Sequence, residues 1–265
     1  MIGYIASVFI GISLGLIGGG GSILTVPVLV YLFGINPVLA TAYSLFIVGS
    51  TSLAGAITKY KQGLINFKTA FIFAIPAVAT VIVTRSLLLP LIPETIFSAG
   101  SVTVTKSILL MVIFAILMVF ASISMIKGNG KEISTQEGEQ KLKYPQIFLQ
   151  GFFVGFITGL VGAGGGFLII PALVIFSHLP MKKAIGTSLL IITINSLTGF
   201  LGSSPHHLMD WRLLIIVTLL AIVGIFIGNG LSRKVPGEKL KKAFGWFVLV
   251  MGIYIIIKEL FLSNL

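Results

Sequence analysis

The first charged residue of this chain is Lys59. A second charge-free run covers Tyr144 to Met181, and others cover Thr69 to Thr84, Ser107 to Ile126, Ala184 to Met209, Leu213 to Ser232 and Ala243 to Ile257. A helix that crosses hydrocarbon needs about 20 mostly apolar residues. With no water in the bilayer core, its backbone N–H and C=O groups must be satisfied internally. Such runs predict an all-α integral membrane protein and leave no soluble domain of useful size. Composition agrees, with 56% hydrophobic residues, 9% charged and a mean hydropathy of +1.11.

The N-terminus has no basic stretch before its apolar segment and no small-residue cleavage site, so an uncleaved first segment is expected. The absence of cysteine excludes disulfides, thiolate metal sites and a Cys nucleophile. A net charge of +11 would suggest nucleic acid in a soluble protein. In a membrane protein it reflects basic cytoplasmic loops, so the expected partners are the lipid bilayer and a small solute, not nucleic acid.

Two halves of the chain repeat one another. GLIGGGGSILTVP at Gly15 to Pro27 returns as GLVGAGGGFLIIP at Gly159 to Pro171. At a constant offset of 144, residues 15–68 match 159–212 at 17 of 54 positions without a gap. That argues duplication. The expected organisation is repeat 1 at 1–126, a polar cytoplasmic linker loop at 127–143 and repeat 2 at 144–265, all in one membrane domain. The first half carries about a dozen extra residues around Pro93 to Lys106. Each half reads as a Gly-interrupted opening segment (about 2–33 and 146–178) followed by three helices. These are about 38–58, 69–90 and 107–126, then 183–202, 213–232 and 243–260.

The opening segments are too long for one ordinary span. They read as a single broken helix, a re-entrant pair of half-helices or two short spans, and the basic residues choose among these. If each opening segment crosses once, the 18 basic residues split nine to nine across the membrane. If each returns to its starting side, 14 share a side and only Arg85, Lys106, Arg212 and Lys258 face the other. The second count obeys the positive-inside rule. It predicts two inverted-topology repeats, both termini outside and the central loop in the cytoplasm.

Paired Gly-interrupted segments in corresponding positions point to a transporter's binding site. Gly18, Gly19, Gly20 and Gly21, and Gly162, Ala163, Gly164, Gly165 and Gly166, remove side chains so that a solute can approach the backbone. Beyond them, Ser22 to Phe33 and Phe167 to Ser177 read as half-helices whose N-termini attract anions. Ser44, Ser188 and Asn195 are candidates to complete the cage. Neighbouring Tyr43, Thr187, Thr51, Ser52 and Ser196 read as helix–helix hydrogen-bonding residues, and Gly224, Gly228 and Gly230 as packing glycines. No Lys follows the glycine run and no strand precedes it, so a P-loop is excluded.

All seven acids lie in loops or at helix ends, which weighs against a cation carrier. His178, His206 and His207 lie at segment ends, and Arg85 is expected to snorkel from the outer end of its helix, its other reading being an anion exit. Ser44 and Ser188 have no His or acid in helical reach, so an intramembrane enzyme is not expected. Nor is a metal site or cofactor.

The motif GLIGGGGS followed by Pro27, its degenerate copy, and the segments ATAYSL and AIGTSL together resemble the sulfite exporter TauE/SafE family. That resemblance spans nearly the whole chain. It implies a multi-pass cytoplasmic-membrane transporter of small sulfur-containing anions such as sulfite or sulfoacetate. It maps the family's glycine motifs onto Gly18, Gly20, Gly21 and Pro27, and onto Gly162, Gly164, Gly165 and Pro171. The second copy has Ala163 for Gly19 and Gly166 for Ser22, so the two half-sites are unequal. The expected function is a secondary transporter, an exporter by this resemblance, alternating access around a midplane site. An anion channel, or an importer of another small anion, is the alternative. Oligomeric state, a homo-oligomer included, stays open.

Overall fold

Every break between helices falls where the apolar runs meet Gly, Asn, Asp or Pro. The computed structural model describes residues 2–99, 102–127, 144–161, 165–175, 179–202, 209–232 and 236–259. The helices are α1 (Ile2–Ile17), α2 (Gly20–Tyr31), α3 (Pro37–Lys61), α4 (Phe67–Val83), α5 (Leu89–Leu91) and α6 (Lys106–Lys127) in the first half. The second half supplies α7 (Tyr144–Val161), α8 (Gly166–Ile175), α9 (Met181–Leu201), α10 (Trp211–Leu231) and α11 (Gly237–Ile257). Among the described residues, Pro37–Lys61, Phe67–Leu91, Met181–Leu201 and Trp211–Leu231 are long and apolar enough to cross a bilayer. The second of these joins α4 to α5 through a π-helical turn, Thr84–Leu88. Phe71, Ile75, Leu219, Val223 and Phe226 stand exposed on its outer surface, as side chains facing lipid do.

The caps repeat with the sequence. Asn66 accepts a hydrogen bond from the Thr69 amide at 3.0 Å and opens α4, and Asp210, its equivalent at the offset of 144, accepts from the Leu213 amide at 3.1 Å and opens α10. A two-stranded antiparallel hairpin, β1 (Thr95–Ala99) with β2 (Val102–Thr105), fills the extra residues of the first half. Periodicity gave no sign of it, because Thr, Val, Ile and Phe suit a strand and a membrane helix alike. Lys106 closes it, its Nζ lying 4.0 Å from Glu94.

The opening segment of the first half is a helical hairpin. Gly18 takes φ +78°, a left-handed conformation that glycine adopts freely. The chain then reverses, and α2 packs back along α1. A Cβ on Gly21 would lie 2.1 Å from the Ile10 carbonyl oxygen. At the open end Phe33 packs on Gly3, and its ring meets Tyr4 edge-on at 5.3 Å. In the second half the equivalent residues do the same, Gly165 packing on Val154 and Thr158 of α7. The C-terminal end of α11 shares the open end of the first hairpin, since the Tyr31 hydroxyl donates to Glu259 at 2.9 Å.

The half-helices begin earlier than their sequence suggested. Gly20 and Gly21 already belong to α2, so the first interruption is only Gly18 and Gly19, and α2 and α8 end at Tyr31 and Ile175. Close packing of Gly21 on the α1 backbone explains why the glycine run outlasts the break.

The two halves interleave. Gly11 and Gly15 of α1 lie against Ala221, Ile225 and Asn229 of α10, while Gly224 and Gly228 receive Val8 and Ile12 in return. Small residues on both helices let the backbones meet. The equivalent pair brings Gly151 and Gly155 of α7 onto Phe73 and Ala77 of α4, and Gly159 onto Thr84 of the π-helical turn. At the centre α3 and α9 cross antiparallel: Leu45 meets Gly199, Gly49 meets Leu197 and Gly55 meets Leu189. The helices α6 and α11 pack together at the periphery.

Candidate functional site

The two glycine breaks touch. A Cβ placed on Gly19 would lie 2.2 Å from the Gly166 carbonyl oxygen, and one on Gly166 would lie 2.9 Å from the Gly19 Cα. Two helix N-termini, of α2 and α8, therefore converge. The first turn of a helix carries amides without intrahelical partners, and the dipole adds about half a positive charge at each N-terminus. The breaks are unequal. Among the described residues, the left-handed glycine of the first break is Gly18, four positions before Ser22, and that of the second is Gly165, directly before Gly166, the equivalent of Ser22. Gly162, Ala163, Gly164 and the three histidines lie outside the described residues.

The central helices present one face to the breaks. On α9 the Ser188 hydroxyl is shared between the carbonyls of Gly18 at 3.2 Å and Ile185 at 2.9 Å, and Ile192 packs on Gly166. Residues three and four apart share a helix face, so Asn195 lies on that face, one turn further along. It is fully buried, and neither its Oδ1 nor its Nδ2 has a hydrogen-bond partner. Thr51, its equivalent on α3, is fully buried too, and its Oγ1 has no partner. The hydroxyls of Ser52 and Ser196 share this condition. All four lie where α3 crosses α9.

Other expected ligands are differently engaged. The Ser22 hydroxyl donates to the Gly19 carbonyl at 2.7 Å, and the Ser44 hydroxyl to Thr41 at 2.9 Å. A serine has one proton, so in this conformation these residues, like Ser188, spend it on backbone and not on an anion. Tyr43 accepts from the Asp210 amide, and Thr187 from the Asn66 amide at 2.9 Å, in the structural roles expected of them. Thr51 and Thr158 were not read as ligands. Thr158 is 1% exposed with an unpartnered hydroxyl against Gly165, where the first half has Leu14 against Gly21. A signal existed in that apolar-to-polar exchange between the copies. Arg85 is 2% exposed and so lies inside the protein, not along its surface.

Among the described residues no cluster of His, Asp or Glu could hold a metal ion. Among the described residues, what this site offers is backbone dipoles, an amide and hydroxyls.

Residues 4–255 match the family described as sulfite exporter TauE/SafE. Over 93% of its length the chain is 30% identical to a probable membrane transporter protein of Xylella fastidiosa (strain 9a5c), covering 91% of that protein. It is 26% identical to the probable membrane transporter protein YunE of Bacillus subtilis (strain 168), with 93% of each chain covered. A shorter match, 33% identical over 44% of this chain and 46% of the other, is to the probable membrane transporter protein MJ0441 of Methanocaldococcus jannaschii. No solved structure matches. All three relatives carry the name of a probable membrane transporter, and none that of an enzyme. With family and helices in agreement, the chain is a multi-pass membrane transporter and belongs to the sulfite exporter TauE/SafE family.

Proposed function

We propose that the protein is a secondary transporter, working as an exporter, of a small sulfur-containing oxyanion such as sulfite or sulfoacetate. Access alternates around a midplane site between the two glycine breaks. The observation that carries this reading is the backbone contact of Gly19 with Gly166, beside the unpartnered amide of Asn195. Two converging helix N-termini and neutral donors hold an anion without a fixed cation, so the anion can also leave. The substrate ligands are Gly18, Gly19, Gly20, Gly21 and Ser22, with Gly162, Ala163, Gly164, Gly165 and Gly166, completed by Ser44, Ser188 and Asn195. Because α1 docks on α10 and α7 on α4, the bodies that move in alternating access each carry helices from both halves.

Proteoliposomes loaded with sulfite should show saturable efflux with counterflow. Efflux without saturation would favour a channel, and none at all would remove sulfite as substrate.

The antiparallel crossing of α3 and α9 and the shared end of α1 and α11 support inverted repeats in the cell membrane with both termini outside. Single cysteines can be introduced freely, since the chain has none. In whole cells Ser134→Cys should resist an impermeant thiol reagent while a cysteine appended after Leu265 reacts. Equal reaction of both would refute this topology.

A further inference from the structure

We infer that Lys59 and Arg85 are the anion-collecting residues of the two mouths of the pathway, one on each side of Asn195 along α9. This deepens the transport reading above and rests on it. Both cations are buried, Lys59 at 6% and Arg85 at 2% exposure, at opposite ends of the same helix packing. Lys59 packs at the level of Gly186 on α9, its Cβ 3.2 Å from where a Gly186 Cβ would stand. Arg85 packs at the level of Gly202, its Cβ 3.6 Å from the corresponding point. Asn195 lies between them. Along α9 it is nine residues from Gly186 and seven from Gly202, which at 1.5 Å per residue is about 13 Å and about 10 Å.

The two corners are equivalent under the repeat, and their cations are not. At the offset of 144, Arg85 corresponds to Asn229 and Lys59 to Ser203. In one corner the π-helical turn that follows α4 supplies the charge, beside the C-terminal end of α9. In the other, the end of α3 supplies it beside the late turn of α10, where Lys59 Nζ lies 3.5 Å from the Ser232 hydroxyl and that hydroxyl donates to the Asn229 carbonyl at 2.8 Å. Duplication alone would have put both charges on equivalent positions. One cation per corner, drawn from opposite members of the helix pair, marks a requirement of the corner itself. A buried cation costs several kcal/mol in desolvation, and ionisable residues at membrane depth face the interior or a water-filled cavity and mark ion pathways. Arg85 also occupies the π-helical turn Thr84–Leu88, an irregularity frequent at functional sites. A cation in each mouth raises the local concentration of an oxyanion, while the neutral centre lets it pass.

The test uses the native absence of cysteine. Single variants Ser232→Cys and Gly202→Cys are labelled in membranes with two thiosulfonates, one bearing a sulfonate and the other a trimethylammonium group. Wild-type surroundings should favour the sulfonate at both positions. Lys59→Gln should lower the sulfonate-to-ammonium rate ratio about fivefold at position 232 and leave it unchanged at 202, and Arg85→Gln should do the reverse. Sulfite efflux should fall about tenfold in each Gln variant and stay within about threefold in Lys59→Arg and Arg85→Lys. Ratios indifferent to these charges, or cysteines that neither reagent reaches, would overturn the inference. A wild-type protein that carries no sulfite would overturn the transport reading instead, while the labelling ratios still decide whether the mouths attract anions.

Discussion

Replacing Asn195 with leucine is expected to stabilise the protein and to stop it working. The Asn195 side chain is fully buried and both its polar atoms lack partners. A buried amide left unsatisfied costs about 1–3 kcal/mol, and an apolar group of similar shape avoids that cost. For a chain of this size the gain corresponds to a melting temperature higher by about 2–4 °C per kcal/mol. Efflux of sulfite from proteoliposomes should fall about tenfold or more, since one such donor to an anion is worth about 1.5–3 kcal/mol. Thermal unfolding of the detergent-solubilised variant beside its flux separates the roles. If the melting temperature drops, Asn195 had a structural partner. If stability rises and flux survives, the amide is not a ligand.

Replacing Gly19 with alanine should damage transport directly at the meeting of the breaks. Its φ of −152° lies outside the left-handed region that favours glycine. The damage is steric: the new carbon would sit 2.2 Å from the carbonyl oxygen and 2.5 Å from the carbonyl carbon of Gly166. Backbone cannot rotate away as a side chain can, so α8 must retreat from α2. Overpacking of this kind costs about 1–3 kcal/mol, and it falls on the contact that forms the site. Flux should drop about tenfold or more. Gly34→Ala is the control. That glycine has φ +70° and open space around it, so the substitution strains the turn but leaves the breaks in contact. Full flux in Gly19→Ala, or equal loss in both variants, would show that the meeting of the breaks is not what matters.

Much of this architecture was legible in the residues. Charge-free runs placed α3, α4, α9 and α10 to within a few residues, because a charged side chain is excluded from hydrocarbon and therefore marks its edges. Counting basic residues favours an opening segment that returns to its starting side, an argument that uses the membrane and not the fold, and α1 and α2 do fold as a hairpin. What stayed hidden was which helix touches which. Helices apolar on every side carry no stripe to reveal a preferred neighbour, so the pairing of α1 with α10 rests on Gly11, Gly15, Gly224 and Gly228 meeting backbone to backbone. The same glycines at the breaks and in the interface look alike in sequence, and only geometry separates Gly19, which faces α8, from Gly21, which packs on α1. Thr51 and Ser196 were read as ordinary helix–helix residues because serine and threonine usually satisfy themselves locally. Their hydroxyls stand unpartnered at the crossing.

The interleaving of the halves also dictates an order of events during biosynthesis. The helix α1 ends at Ile17, and its packing partner α10 begins only at Trp211. At about 5–20 residues per second, the ribosome takes about 10–40 s to supply that partner. Through that interval the first hairpin sits in the membrane with the glycine face of α1 uncovered, its place held by α2 and α3 alone. The pairing of α7 with α4 has no such delay, because α4 is already inserted when α7 emerges. The last long segments of the chain therefore close a gap left open by the first, and a polypeptide interrupted between α7 and α10 would hold one finished hairpin seat and one empty one.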